Sequence, residues 1–188
     1  MLEFILSLAW LLVVTFSLGF AITREKNLMT FGFGLAAFCV LSIALDLIHI
    51  PLHWLVFLAI SLIILAWSIY KKELEIRIEK PGILTILVIL LFAVNVYVFW
   101  VGSTAYPWLE DDDTWEYARD ASYVSTHMTH SIPYSGETLE RNSRLEPFPP
   151  GYSVIMGILH EMTVSISSTV KFYNALFVAS ALIFAFCF

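Results

Sequence analysis

The amino-acid sequence predicts an all-α protein built of polytopic transmembrane helices, and three observations carry that expectation. Hydrophobic residues make up 59% of the 188-residue chain and charged residues only 14%. A water-soluble domain carries about 25% charged residues, so this chain has too little polar surface to cover a globule. Its mean hydropathy of +0.81 agrees. Finally, the apolar residues fall in runs of about 20, the length a helix needs to cross a hydrocarbon core about 30 Å thick. Backbone groups in lipid must be satisfied within the segment, so helices rather than open strands are expected.

Residues 4–22 form the first expected span. The chain opens Met-Leu-Glu, without the positive charge that precedes a signal peptide, and the run exceeds the about 7–15 residues of a signal-peptide core. Charge at 23–27 ends it, and residues 28–48 form a second span with Asp46 and His49 near its far end. Pro51 permits a tight reversal into a third span, Trp54–Tyr70. A charged connector follows, then Pro81, which suits a helix start, and a fourth span at 82–101. Residues 1–81 therefore read as an N-terminal module of three transmembrane helices.

Residues 102–150 are the only long polar stretch. An apolar segment after Pro150 predicts a helix at about 151–165, a short fifth span, and another follows at about 170–188. The chain stops inside that last apolar run, so a longer protein is expected.

With the N-terminus outside, Arg24, Lys26, Lys71, Lys72, Arg77, Lys80 and Lys171 fall on the inner side, with Glu161 near it. Only Arg119, Arg141 and Arg144 then lie outside. The positive-inside rule favours this arrangement. It predicts a multi-pass protein of the cell membrane (or the endoplasmic reticulum of a eukaryote), with the lipid bilayer as partner and the N-terminus and long loop extracytoplasmic. Tyr97, Trp100, Tyr106 and Trp108 suit the outer interface. Net charge is −6, and no basic cluster points to nucleic acid. Cys39 and Cys187 lie in apolar runs, where cysteine behaves as a small hydrophobe.

The polar stretch carries the chemistry. Glu110, Asp111, Asp112 and Asp113 are consecutive acids immediately after a span. Like charges this close raise the pKa of one member or recruit a cation, which suits a general base, a metal ligand, or both. A purely structural reading stands beside it. Asp113 and Glu116 match a capping box, with Asp113 as N-cap, and Tyr117, Ala121, Val124 and Met128 recur at helical spacing. Neighbouring acids would then favour the positive end of the helix. His127 and His130 share a helical face, but no second ligand pair of recognisable spacing supports a histidine metal site.

Three segments in order resemble the GT-C superfamily of integral membrane glycosyltransferases, which includes protein mannosyltransferases, aminoarabinose transferases and oligosaccharyltransferase catalytic subunits. They are Asp113-Thr-Trp-Glu-Tyr-Ala-Arg-Asp-Ala121, Phe148-Pro-Pro-Gly-Tyr-Ser-Val-Ile-Met156 and Lys171-Phe-Tyr-Asn-Ala-Leu-Phe177. The resemblance covers residues 82–188 and implies the start of a GT-C-like core whose first extracytoplasmic loop is partly helical. It implies transfer of a sugar from a polyprenyl-phosphate donor to an acceptor at the outer face. By position Asp113 is the implied catalytic residue, as base or metal ligand, with Asp112 as runner-up. Glu116, Tyr117, Arg144, Glu146 and Tyr152 are the implied substrate-binding residues, and Asp111 with Asp113 would hold a divalent cation, Mg or Mn. Several relatives carry Asp-Glu at the first motif, whereas Thr114 follows Asp113 here.

A second class of function competes: a non-enzymatic membrane protein whose acidic outer loop binds a cation or a partner protein. A transporter is the weaker form of it, because the spans hold few ionisable residues that would mark a translocation path.

Overall fold

A computed structural model describes residues 2–26, 28–71, 73, 82–105, 112–131 and 151–187. Among these residues there are seven helices and no strand: α1 (Leu2–Thr23), α2 (Leu28–Leu47), α3 (Trp54–Tyr70), α4 (Ile83–Thr104), α5 (Asp112–His127), α6 (Gly151–His160) and α7 (Ile166–Cys187). Three helical stretches, Leu2–Thr23, Met29–Leu47 and Ile83–Thr104, are long and apolar enough to cross a membrane. Helix α3 is equally apolar but has 17 residues, about 26 Å at 1.5 Å per residue. Helix α4 buries none of its residues and packs chiefly against α7.

Small residues set the closest helix pairing. A Cβ on Gly19 would lie 1.8 Å from the Thr30 carbonyl oxygen, and one on Gly34 would lie 1.8 Å from that of Thr15. Glycines at these two positions let the α1 and α2 backbones touch, the device that small residues provide where no water drives helices together. The buried Thr15 hydroxyl turns inward to the Leu11 carbonyl at 2.7 Å. Larger side chains take over along the hairpin. Trp10, Phe38 and Phe57 form an aromatic cluster joining α1, α2 and α3, with ring centroids 4.7–6.4 Å apart. The Trp10 indole satisfies its N–H by donating to the Trp54 carbonyl at 3.0 Å.

Helix directions follow from paired contacts. Arg24 at the end of α1 pairs with Glu73 just beyond α3, so α1 and α3 run in parallel. Phe172 on α7 meets Phe4 near the start of α1 and Trp100 near the end of α4. Farther along, Leu176, Phe177 and Ser180 share an apolar cavity of about 340 Å³ with Leu11 of α1 and Val88 of α4. Helix α7 therefore runs parallel to α1 and antiparallel to α4. One end of the bundle, here the top, carries the starts of α1, α3 and α7 and the ends of α2 and α4.

This geometry revises the expected path after Pro150. The helix expected at 151–165 ends at His160 and has ten residues, about 15 Å, half of a hydrocarbon core. Its end does not reach the far side. Glu161 accepts a hydrogen bond from the Trp54 backbone N–H at the start of α3, 3.1 Å away. Glu161 and Lys171 thus lie at the top, with α4's end, and not at the opposite end with Arg24.

Helices α5 and α6 form a layer at the top. Ala121 and Val124 are fully buried, as the apolar periodicity predicts, and Ala118 joins them. The opposing residue is Gly157, where a Cβ would stand 2.8 Å from the Ala121 carbonyl oxygen and 2.7 Å from the Val124 Cβ. Met128 departs from the expected face. It is 36% exposed and takes φ 56°, ending α5 in a left-handed conformation. Arg24 and His49 end α1 and α2 the same way, at φ 58° each. Glycine is the usual residue at such ends, and its absence at all three hides them in the sequence.

Candidate functional site

Helix α5 begins at Asp112, so Asp112 and Asp113 both occupy its first turn. The capping-box reading places Asp113 two positions earlier, as the N-cap. Carboxylates in a first turn face the partial positive charge of unpaired backbone N–H groups. The carboxylates of Asp112 and Asp113 lie outside the described atoms, and Asp111, Arg144 and Glu146 lie outside the described residues.

Three of the sequence-derived site residues are described in full. Tyr117 meets Tyr152 edge to face, with ring centroids 5.1 Å apart at 71°. The Tyr152 hydroxyl donates to Asn174 Oδ1 at 2.7 Å, so one chain of contacts links α5, α6 and α7. Burial pushes the Tyr152 hydroxyl up to about 12 despite the Asn174 bond, and it remains a protonated donor through the neutral range. Glu116 does not join this contact. It lines a groove of about 400 Å³ with Trp115, Ala118, Arg119 and Ser122 of α5 and Ile166 at the start of α7. Trp115 is half exposed there.

Asp120 lies under this groove, 5% exposed. Arg119 holds its Oδ1 with Nη2 at 3.1 Å and Nε at 3.3 Å. Burial raises the Asp120 carboxyl above its ordinary range; Arg119, by hydrogen bond and charge, pulls it back down, and Glu116 adds a smaller upward push.

A densely hydrogen-bonded polar centre escapes motif reading. Asp46, at the end of α2, is 4% exposed. It accepts from the Thr129 hydroxyl at 2.5 Å and the His130 N–H at 3.3 Å on one oxygen, and from the Ser131 hydroxyl at 2.5 Å on the other. The His130 Nε2 stands 3.3 Å from that second oxygen. Nearby, the Leu52 N–H donates to the Met128 carbonyl at 2.7 Å. The chain leaving α5 is thus fastened to the α2–α3 turn. A lone acid near a helix end gives no sequence signal for this; the alternation of hydroxyl, imidazole and hydroxyl at 129–131 is its only trace. His127, by contrast, stacks on Tyr123 at 4.2 Å, so the two histidines of the sequence pair serve different contacts. No group of three histidine, cysteine or acidic side chains among the described residues is placed to hold a metal ion.

No family model, curated protein or solved structure matches this chain.

Proposed function

We propose that the chain is part of a multi-pass membrane glycosyltransferase of GT-C type. It moves a sugar from a polyprenyl-phosphate donor to an acceptor at the extracytoplasmic face, with the top of the bundle outside. The contact between Tyr117 and Tyr152 carries this reading. It sets the acidic start of α5 beside the segment that follows Pro-Pro-Gly, so two motifs separated by about thirty residues of sequence meet at one place. The orientation rests on basic residues. With Lys171 counted at the top, Arg24, Lys26, Lys71, Lys72, Arg77 and Lys80 still outnumber Arg119, Arg141, Arg144 and Lys171.

In this mechanism Asp113, with Asp112 as the alternative, takes the proton of the acceptor hydroxyl as the sugar–phosphate bond breaks, which requires a carboxylate within hydrogen-bond reach. A divalent cation, Mg or Mn, held by Asp111 and Asp113 would stabilise charge on the departing phosphate. This reading assigns substrate binding to Glu116, Tyr117, Arg144, Glu146 and Tyr152. Asp113→Asn in the full-length protein, reconstituted with lipid-linked sugar, should abolish transfer while membrane insertion is retained. Unchanged product yield would eliminate Asp113 as base.

A second reading is a non-enzymatic membrane protein that docks a partner through its outer loop. The half-exposed Trp115 beside Arg119 favours it, since exposed aromatic and arginine side chains are enriched at interfaces. Under this reading Asp113→Asn leaves no transfer activity to lose, and Trp115→Ala abolishes partner capture.

A further inference from the structure

Glu161 is a buried acid outside the proposed catalytic loop. Its side chain is 8% exposed. One carboxylate oxygen, Oε2, accepts from the Trp54 N–H and so caps the start of α3 from another part of the chain. The other, Oε1, is buried and has no hydrogen-bond partner. An ionised carboxylate with one bare buried oxygen is costly, and it is relieved by a cation or by a proton.

Among the described residues, no lysine or arginine lies within ion-pair distance of Glu161, and His53 Nε2 is 3.9 Å from Oε2. His53 Nδ1 accepts the Leu55 N–H at 3.2 Å as the N-cap of α3. That bond requires Nδ1 to be unprotonated, which leaves the ring proton on Nε2, toward Glu161. Protonating Nδ1 would break the cap. Beside Glu161, His160 has a buried, unpartnered Nδ1, and burial lowers its pKa, so it resists charging. The other described titratable groups on adjoining elements, Asp46 on α2, Glu116, Tyr117, Arg119, Asp120, Tyr123 and His127 on α5, His130 after it, Tyr152 on α6 and Lys171 and Tyr173 on α7, make no ion pair with Glu161.

We propose that Glu161 is a proton-operated latch: Oε1 carries a proton from solvent while Oε2 caps α3, and loss of that proton loosens the α6–α7 turn from the α2–α3 hairpin. The committed Oε2 and the bare Oε1 separate the two tasks within one carboxyl group. Burial pushes the Glu161 carboxyl up from 4.5 to about 7, with the Trp54 bond pulling the other way. An acid raised in the folded state contributes docking strength that is full below its ordinary value and declines as pH rises through the folded value. The latch therefore holds at acid pH and weakens progressively up to about pH 7. The turn leads directly into Ile166, which lines the groove beside α5, so the acidity of the outer surface would tune the site.

Hydrogen exchange of the full-length protein in phospholipid nanodiscs tests this, with rates corrected for intrinsic pH dependence. Protection of the Trp54, Met162 and Thr163 amides should fall about 80-fold between pH 4.5 and 7 and then level off. Glu161→Gln, which cannot ionise, should abolish the dependence, and His53→Asn, which preserves a capping side chain, should retain it. A flat wild-type profile, the wild-type dependence surviving in Glu161→Gln, or its loss in His53→Asn would each overturn the latch. Should Glu161→Gln fail to fold, infrared titration of wild-type protein carrying isotope-labelled glutamate decides. A protonated carboxyl persisting to near-neutral pH supports the proposal, and complete ionisation by about pH 5 refutes it.

Discussion

Removing the Asp46 carboxylate is the sharpest perturbation of the connection between the top layer and the helices beneath it. Asp46→Ala deprives the Thr129 and Ser131 hydroxyls and the His130 N–H of their acceptor and leaves His130 without its ionic neighbour. Hydrogen bonds to a charged group contribute about 1.5–3 kcal/mol each. Thr129 and His130 are half-buried and Ser131 is exposed, so water replaces part of what is lost. The two hydroxyl bonds taken at the lower value, about 3 kcal/mol together, are therefore the expected loss. It corresponds to a roughly hundredfold shift in the local opening equilibrium. Hydrogen exchange of the amides at 128–131 and of Leu52 should report that loss of protection, while α1 stays protected. Protection within about twofold of wild type would show that Asp46 does not fasten the chain leaving α5, and the hydrogen-bond argument would fail.

Two steric predictions probe the helix contacts. Gly157→Val places a branched side chain where a Cβ alone comes within 2.8 Å of the Ala121 carbonyl oxygen. Overpacking of this kind costs about 1–3 kcal/mol and should increase exchange along α5 before the α1–α2 hairpin is affected; unaltered α5 protection would contradict the packing. Gly34→Leu is more severe, because the obstacle is the Thr15 backbone at 1.8 Å. It should lower the thermal midpoint in detergent and lengthen distances measured between spin labels on α1 and α2, and an unchanged distance would rule out the close crossing.

The long helices were legible because lipid-crossing segments have little alternative. An apolar run of about 20 residues states both its type and its length, and α1, α2 and α4 begin and end within a few residues of expectation. The amphipathic face of α5 was equally readable at Ala121 and Val124. Direction was harder. The segment at 151–160 is as apolar as a span, and only its contacts, Trp54 bonded to Glu161, show it remaining at one end. Asp46 and Glu161 were visible as residues but not as centres, since their partners lie about 80 and 107 positions away. Such long-range partners leave no local pattern. The acids of the first loop were the reverse case, prominent in sequence through their density.

The excursion between α4 and α7 leaves and re-enters the bundle at the same end. A chain that departs and returns on one face does not change the direction of the helix that follows it, whatever its length. Residues could be added between α4 and α7 while α7 still entered from the top beside α1 and α4. The direction in which the helices thread is thus insulated from the length of the chain between α4 and α7.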